Sequence, residues 1–521
     1  MDILNSLETS TTSRPRDVVL PTPPSDDEKY IYVQRHLSVL IVSSMVSLAC
    51  LTISVVHLIV IRPWLRLLVP YFAFLLVYYL MSLRVNLPSR DFDIKAHRDM
   101  VNAWTPDRHP TVDIWLPICG EDIAVLSNTW YYVKSLVDHY PGLAEVFVLD
   151  DGDDHDARDM SNSFGFNYLV RPNRGWMKKA GNLRHAYENS YGEFIVILDA
   201  DFAPREDFLA ETLPHMQKDP RLGIVQSPQF FRQEPGQTWM ERGAGAVQEL
   251  FYRVVQVSQD RFDGAICAGS CALYRRSALD STGGATLTEH SEDMHTGFDV
   301  YRQGWKIRYL PVALATGICP PGPDSFLTQQ YRWCAGTMSL IFSRKFWGTR
   351  LKFSTLLCYL TGFLYYIETA VATFAVPIIP IALLAFLPQT VRLHNFLWIA
   401  PSTIYALVIF PLWNHSRNGP ASLMARSLYG WAHVFTLVDM ARHRLQGWQI
   451  TGAHGQRPTR RIWIAIVIWG GATSIAWVGL ALYRMATMNA LDFAFLLLIG
   501  LIYGWTTTVM PFVARAQASR Q

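Results

Sequence analysis

Two blocks of long apolar sequence, one near each end of the chain, limit the folds available to it. Leu37 to Ile61 runs without a single Asp, Glu, Lys or Arg. A helix of that length covers the ~30 Å apolar core of a bilayer. After the break at Arg62-Pro63, a second apolar run extends from Trp64 to Leu83, so the two form an antiparallel hairpin. Four more spans are expected at Tyr365–Leu387, Phe396–Trp413, Ile462–Tyr483 and Leu491–Phe512. Residues 421–446 differ, mixing Arg426, Asp439, Arg442 and Arg444 with Leu, Trp and Phe, and read as an amphipathic helix in the membrane interface.

Basic residues crowd the connection between the fourth and fifth spans (Arg417, Arg426, Arg442, Arg444, Arg457, Arg460, Arg461). The positive-inside bias places that connection in the cytosol. Six spans then put both termini and the central region there, in what is expected to be the plasma membrane. The expected organisation is a disordered tail (1–36), a membrane hairpin (37–84), a cytosolic domain (85–352), a four-span region with a loop at 448–460 (353–513), and a short tail (514–521). A net charge of +3 with 17% charged residues offers no footprint for nucleic acid. The seven cysteines form no CxxC pair, so reduced thiols rather than disulfides or zinc ligands are expected.

The central region alternates strand and helix patterns. Strands are expected at Val112–Pro117, Glu145–Leu149, Phe166–Val170 and from Phe194, and helices at Val125–His139 and Lys179–Asn189. Such alternation implies a parallel sheet covered on both faces, with ligands beyond the strand carboxyl ends. Two acidic clusters fall at such ends: Asp150-Asp151-Gly152, and Asp199-Ala-Asp201 after Phe194-Ile-Val-Ile-Leu. Alternate side chains of an extended chain share a face, so Asp199 and Asp201 point into one cleft, where paired carboxylates suit a hard divalent cation. Further on lie Ser291-Glu292-Asp293 and Gln329-Gln-Tyr-Arg332-Trp333, the latter just before the C-terminal spans.

Taken in order with Lys179-Ala-Gly-Asn182, Val225-Gln-Ser-Pro228 and Ala268-Gly269-Ser270, these motifs resemble the processive membrane glycosyltransferases of family 2, the cellulose synthase and hyaluronan synthase superfamily. The resemblance implies an α/β GT-A catalytic domain inserted in a bundle of about six transmembrane helices. It implies Mg²⁺ or Mn²⁺ held by Asp199 and Asp201, with Asp293 as general base beside Glu292. Glu121, Asp150, Asp151, Lys179 and Asp199 would bind the nucleotide sugar. Gln329, Arg332 and Trp333, with Gly269 and Ser270, would serve the acceptor end and the pyrophosphate. Trp448-Gln-Ile-Thr451 is similar to the gating loop of bacterial cellulose synthase, without its following lysine.

Ile118-Cys119 stands where the family usually has Thr-Tyr, and Ser291 where cellulose synthases have Thr. His290 and His295 are expected to pack or hydrogen-bond rather than bind metal. The implied partners are a UDP-sugar donor, a growing polysaccharide and the lipid bilayer, with self-association and accessory subunits left open. The leading expectation is a β-glucan synthase using UDP-glucose. An amino-sugar polymer synthase using UDP-GlcNAc, with or without UDP-GlcA, is the alternative; Met294 after the Glu-Asp pair, where chitin synthases carry Arg, weighs against the chitin form. A decayed scaffold and a single-sugar lipid transferase are weaker, given the intact acids and the Gln329–Trp333 motif.

Overall fold

The computed structural model describes residues 19–33, 37–87, 92–413, 419–446 and 459–519. Helices α1 (Leu37–Ile61) and α2 (Leu65–Asn86) stand at the first two expected spans. The catalytic domain follows as β1 (Val112–Ile118), α3 (Ile123–His139), β2 (Ala144–Asp150), β3 (Asn167–Leu169), α4 (Lys178–Asn189), β4 (Phe194–Ile197), β5 (Ala203–Pro204), β6 (Leu222–Gln226), α5 (Trp239–Leu250), β7 (Ala272–Arg275), α6 (Glu292–Arg302), β8 (Lys306–Tyr309), β9 (Ala315–Thr316) and α7 (Pro323–Ile341). Beyond it come α8 (Phe353–Phe386), α9 (Ala400–Trp413), α10 (Gly419–Ala441), α11 (Arg460–Thr487) and α12 (Ala490–Ala518).

Seven strands form one sheet in the order β3-β2-β1-β4-β7-β6-β8, and β5 pairs with β9 apart from it. All neighbours are parallel except β7, which runs against both β4 and β6. This is the expected GT-A arrangement, a mostly parallel sheet. Every residue of β1 is buried, as a central strand covered on both faces requires. Its side chains alternate between two cores: Ile114 and Leu116 join Trp130 of α3, while Trp115 joins Leu183 of α4. Asp113, buried within this strand, is neutralised by Arg276 at 2.8 Å and accepts the Gly192 amide at 2.7 Å.

One expectation needs correction. The N-terminal tail is not disordered throughout, because residues 19–33 lie across the catalytic domain as a strap. Ser25 caps a short helical turn, Glu28 pairs with Arg232, and Lys29 meets both Asp207 and Glu211 at 2.7 and 2.6 Å. Tyr32 is buried and donates to Glu249 at 3.0 Å. Among the described residues, five helices are long and apolar enough to cross a membrane, and α9, at the expected fourth span, is a shorter apolar helix. Helix α10 lies where the amphipathic interfacial helix was expected. Met424, Ala425, Leu428, Trp431 and Ala432 are buried against residues of α5, α7 and α11.

Candidate active site

The carboxyl ends of β1, β2 and β4 open onto one cavity of about 1290 Å³. Its wall includes Glu121, Asp151, Lys179, Asp199, Asp201, Glu292 and Asp293, so the acids that the sequence spreads over 170 positions do come together.

At the end of β4, the Asp199 amide donates to Ser270 Oγ at 2.9 Å, which fixes the turn carrying both carboxylates. Asp199 Oδ1 lies 2.5 Å from Lys179 Nζ, and Glu292 lies 3.6 Å from the same ammonium. Burial works against that ammonium, but Asp199 and Glu292 hold its proton above the ordinary lysine range. Asp201 has no such cation close by. Burial, reinforced by the neighbouring Asp199 charge, pushes its carboxyl up to about 7.

Asp293 sits in the first turn of α6, and its Oδ1 accepts the Met294 amide at 2.7 Å. Burial first, and then the adjacent Glu292 charge, raise it to about 7, with Lys179 opposing. A carboxyl poised there is half ionised at neutral pH and suits proton abstraction. Gly269 faces it with φ +79°, and a Cβ there would meet Asp293 Cβ and Oδ2 at 2.9 Å. The Gly269-Ser270 pair was expected at the acceptor end. Ser270 is fully buried, so the pair instead positions the two acids around it: glycine makes room for Asp293, and serine holds the Asp199 turn.

The β2 end behaves differently. Asp150 is buried and does not reach the cavity wall. Its carboxylate accepts the Gly152 amide at 2.6 Å, the Asp154 amide at 2.8 Å and the Tyr168 hydroxyl. Asp151 borders the cavity, but Arg171 grips it through Nε and Nη2 at 2.6 and 2.7 Å. The same guanidinium donates to the carbonyls of Trp176 and Lys178, bracing a turn in which Met177 and Lys178 both adopt φ +50°. Sequence reasoning missed Arg171; the only signal was an Arg between an acidic strand end and a lysine pair.

Glu121 accepts the Cys119 amide at 2.6 Å, and burial raises its carboxyl. On the far wall, α7 contributes Gln329, Gln330, Arg332 and Trp333. Burial lowers the Arg332 pKa, against the pull of Glu292, Asp199 and Asp293. His290 contacts the Gln446 carbonyl at 3.2 Å and His295 the Ser339 hydroxyl at 2.8 Å, both in hydrogen-bonding roles. Trp448 and Thr451 lie outside the described residues.

Comparison with known proteins agrees with this geometry. Residues 194–388 match the family described as "Glycosyl transferase family group 2". Cellulose synthase 1 of Komagataeibacter xylinus is 31% identical over 66% of this chain and 20% of its own length. The UDP-forming cellulose synthase catalytic subunit of Pseudomonas fluorescens is 33% identical over 50% of this chain and 36% of its own. The chain thus matches between a fifth and about a third of these relatives. Among solved structures, a mannosyltransferase from Pyrobaculum calidifontis, in complex with GDP-Man and Mn²⁺, covers 71% of this chain and 98% of its own, at 17% identity and a TM-score of 0.45. Residues 194–388 thus form a family 2 glycosyltransferase domain, and the chain is similar to cellulose synthases over half to two thirds of its length.

Proposed function

We propose that the protein polymerises glucose from UDP-glucose into a β-glucan and passes the product into its membrane bundle. The observation that carries this reading is the cavity itself. It extends from Asp199, Asp201 and Asp293 past Trp333 to side chains of α1, α2, α8 and α10. At about 1290 Å³ it exceeds the ~300–1,000 Å³ of ordinary small-ligand pockets, room for a donor and an acceptor chain together. Similarity to UDP-forming cellulose synthases supports the choice of donor.

Among the described residues, no group of three His, Cys, Asp or Glu is arranged to hold a metal. Asp199 and Asp201 nevertheless fit a divalent ion completed by substrate oxygens. One of the two already holds an ammonium, and burial beside the Asp199 charge favours the protonated form of the other. Mg²⁺ or Mn²⁺ bound there would neutralise charge growing on the departing diphosphate.

This chain's own residues do the rest. Asp293 takes the proton of the acceptor hydroxyl as its oxygen forms a bond to the donor C1. The C1–phosphate bond breaks on the opposite face, UDP leaves, and an α-linked donor yields a β-linkage. Lys179 and Arg332 offer charge to the phosphates, Glu121 and Asp151 border the nucleotide end, and Trp333 offers an indole face to the terminal sugar. Gln329 lies on the same stretch of wall, and Trp448 with Thr451 would gate the entrance. The crowd of arginines before α11 supports a cytosolic catalytic domain, and secretion of a glucan supports the plasma membrane.

The test is synthesis by the purified full chain in vesicles, with UDP-glucose, UDP-N-acetylglucosamine and UDP-glucuronate offered separately, with divalent cation or with chelator. Polymer from UDP-glucose alone, lost with chelator and cleaved by linkage-specific β-glucanases, is expected. Incorporation only from an amino-sugar donor overturns the substrate assignment.

A further inference from the structure

The two sides of helix α7 do different work. Gln329, Gln330, Arg332 and Trp333 border the cavity, and Asp324 and Tyr331 do not. Asp324 and Tyr331 stand two helical turns apart on one side of α7. Both are held from the start of α11. Asp324 accepts the Thr459 hydroxyl and, at 2.7 Å, the Trp463 indole N–H. Arg515 of α12 donates to its other oxygen at 3.0 Å. Tyr331 is buried, donates to Asp439 Oδ2 of α10 at 3.0 Å, and accepts the Gln446 amide at 3.1 Å. Asp439 is buried in turn, and Arg461 of α11 grips it through Nη1 and Nη2 at 3.1 and 2.6 Å.

A buried carboxylate needs a cation and filled lone pairs, and Arg461 supplies the cation. Packing α7 against α10 asks no more than that. The Tyr331 hydroxyl adds a directional bond, because the carboxylate it meets is already fixed by a forked guanidinium. The next two residues along the helix, Arg332 and Trp333, turn to the cavity. A rotation of α7 that carried Trp333 off line would therefore have to pull the Tyr331 hydroxyl away from Asp439. Small displacements of this kind are expensive in transfer reactions, where a shift of about 1 Å can cost about a hundredfold in rate.

We infer that Tyr331, held by Asp439 and Arg461, is a positioning residue for the acceptor: it fixes the rotation of α7 and with it the plane that Trp333 presents to the terminal sugar. The inference rests on the reading of Trp333 given above. The donor end is framed by other contacts, Ser270 on the Asp199 turn and Arg171 on Asp151. Arg332 sits on a long stem that follows its phosphate through a small rotation, whereas an indole face stays on a sugar ring only while the two remain parallel. Loosening α7 should thus divide the two substrates.

That division is what a merely structural role would not produce. The full chain in detergent is titrated with UDP and Mg²⁺ and, separately, with a short soluble β-gluco-oligosaccharide. Tyr331→Phe keeps the ring and leaves Asp439 paired with Arg461. It is expected to weaken the oligosaccharide about tenfold, as for one lost charge-assisted hydrogen bond, and to leave UDP within about twofold. Asp439→Leu, which removes the acceptor, is expected to match it. Asp439→Asn, which keeps an acceptor for the hydroxyl, is expected to restore most of the affinity. Unchanged oligosaccharide affinity in Tyr331→Phe, equal losses for both ligands, an Asn variant as weak as Leu, or a Tyr331→Phe chain that melts well below the parent would each overturn the inference. Donor use by the wild-type chain is measured in parallel. Consumption of an amino-sugar donor alone would overturn the substrate assignment, and the same comparison would then be read with the matching amino-sugar oligosaccharide.

Discussion

Two strand ends in the same sheet carry acidic pairs that look alike in sequence and are opposites in structure. At the end of β2, Asp150 is saturated by two amides and a hydroxyl, and Asp151 is gripped by a buried arginine. At the end of β4, Asp199 shares one ammonium with Glu292, and burial beside the Asp199 charge pushes the Asp201 carboxyl up to about 7. The first pair spends its charge on shape. The second holds its charge open, at a cost in stability, for something that arrives from the cavity. Motif spacing cannot tell these apart, because the difference lies in which partners the fold brings up.

The contrast can be broken most sharply at the open end. Asp293→Asn is expected to lower turnover by about a thousandfold, the usual scale of a lost general base, while the melting temperature holds or rises because a strained acid is gone. A comparable fall in stability would move Asp293 to the structural side. At the closed end the effects should exchange places. Arg171→Ala leaves Asp151 buried without its partner and should cost about 3 kcal/mol of stability, read by denaturant unfolding. Retained stability would mean that the β2 pair is not the structural one.

Acidity sharpens the comparison further. Asp201 and Asp293 both sit near 7, so turnover should rise with pH through an apparent midpoint close to neutrality that belongs to the cluster rather than to either acid. Both carboxyls are raised above their unfolded values, so the folded state binds more protons between the ordinary carboxylate range and about 7. Stability of the ligand-free protein should therefore fall as pH rises across that window and level off above it. A profile flat in both quantities would contradict the open reading. The smallest effect is expected from Ser270→Ala, which frees the Asp199 amide at a cost of about 1 kcal/mol. It should raise KM for the donor more than it lowers stability.

The strands and the converging acids were legible because buried strands must be apolar and must end where the chain turns polar. Phe194–Ile197 announces itself, and Asp199 and Asp201 follow from its length. Partners contributed from elsewhere were not legible. Nothing around Arg171 marks it as the clamp on Asp151, and nothing near Ser270 says that its hydroxyl holds the Asp199 turn. The amphipathic look of residues 421–446 concealed that protein, not lipid, covers their apolar face. The strap over residues 19–33 failed for a related reason. A polar, proline-containing segment without periodicity gives no sign of order, which comes from ion pairs with distant residues and from burial of Tyr32.

Those distances carry a consequence for how the molecule is made. Lys29 reaches residues 178 and 182 positions downstream, Arg232 reaches back 204 to Glu28, and Tyr32 meets a partner 217 positions on. On a ribosome these residues emerge before anything they bind exists, and α1 and α2 enter the bilayer while the strap still hangs loose. Contacts so far apart in the chain close late, since each must first repay the entropy of the loop it shuts. A segment synthesised before its partners is thus among the last to find its place, and its docking marks the moment when the domain it straps is complete.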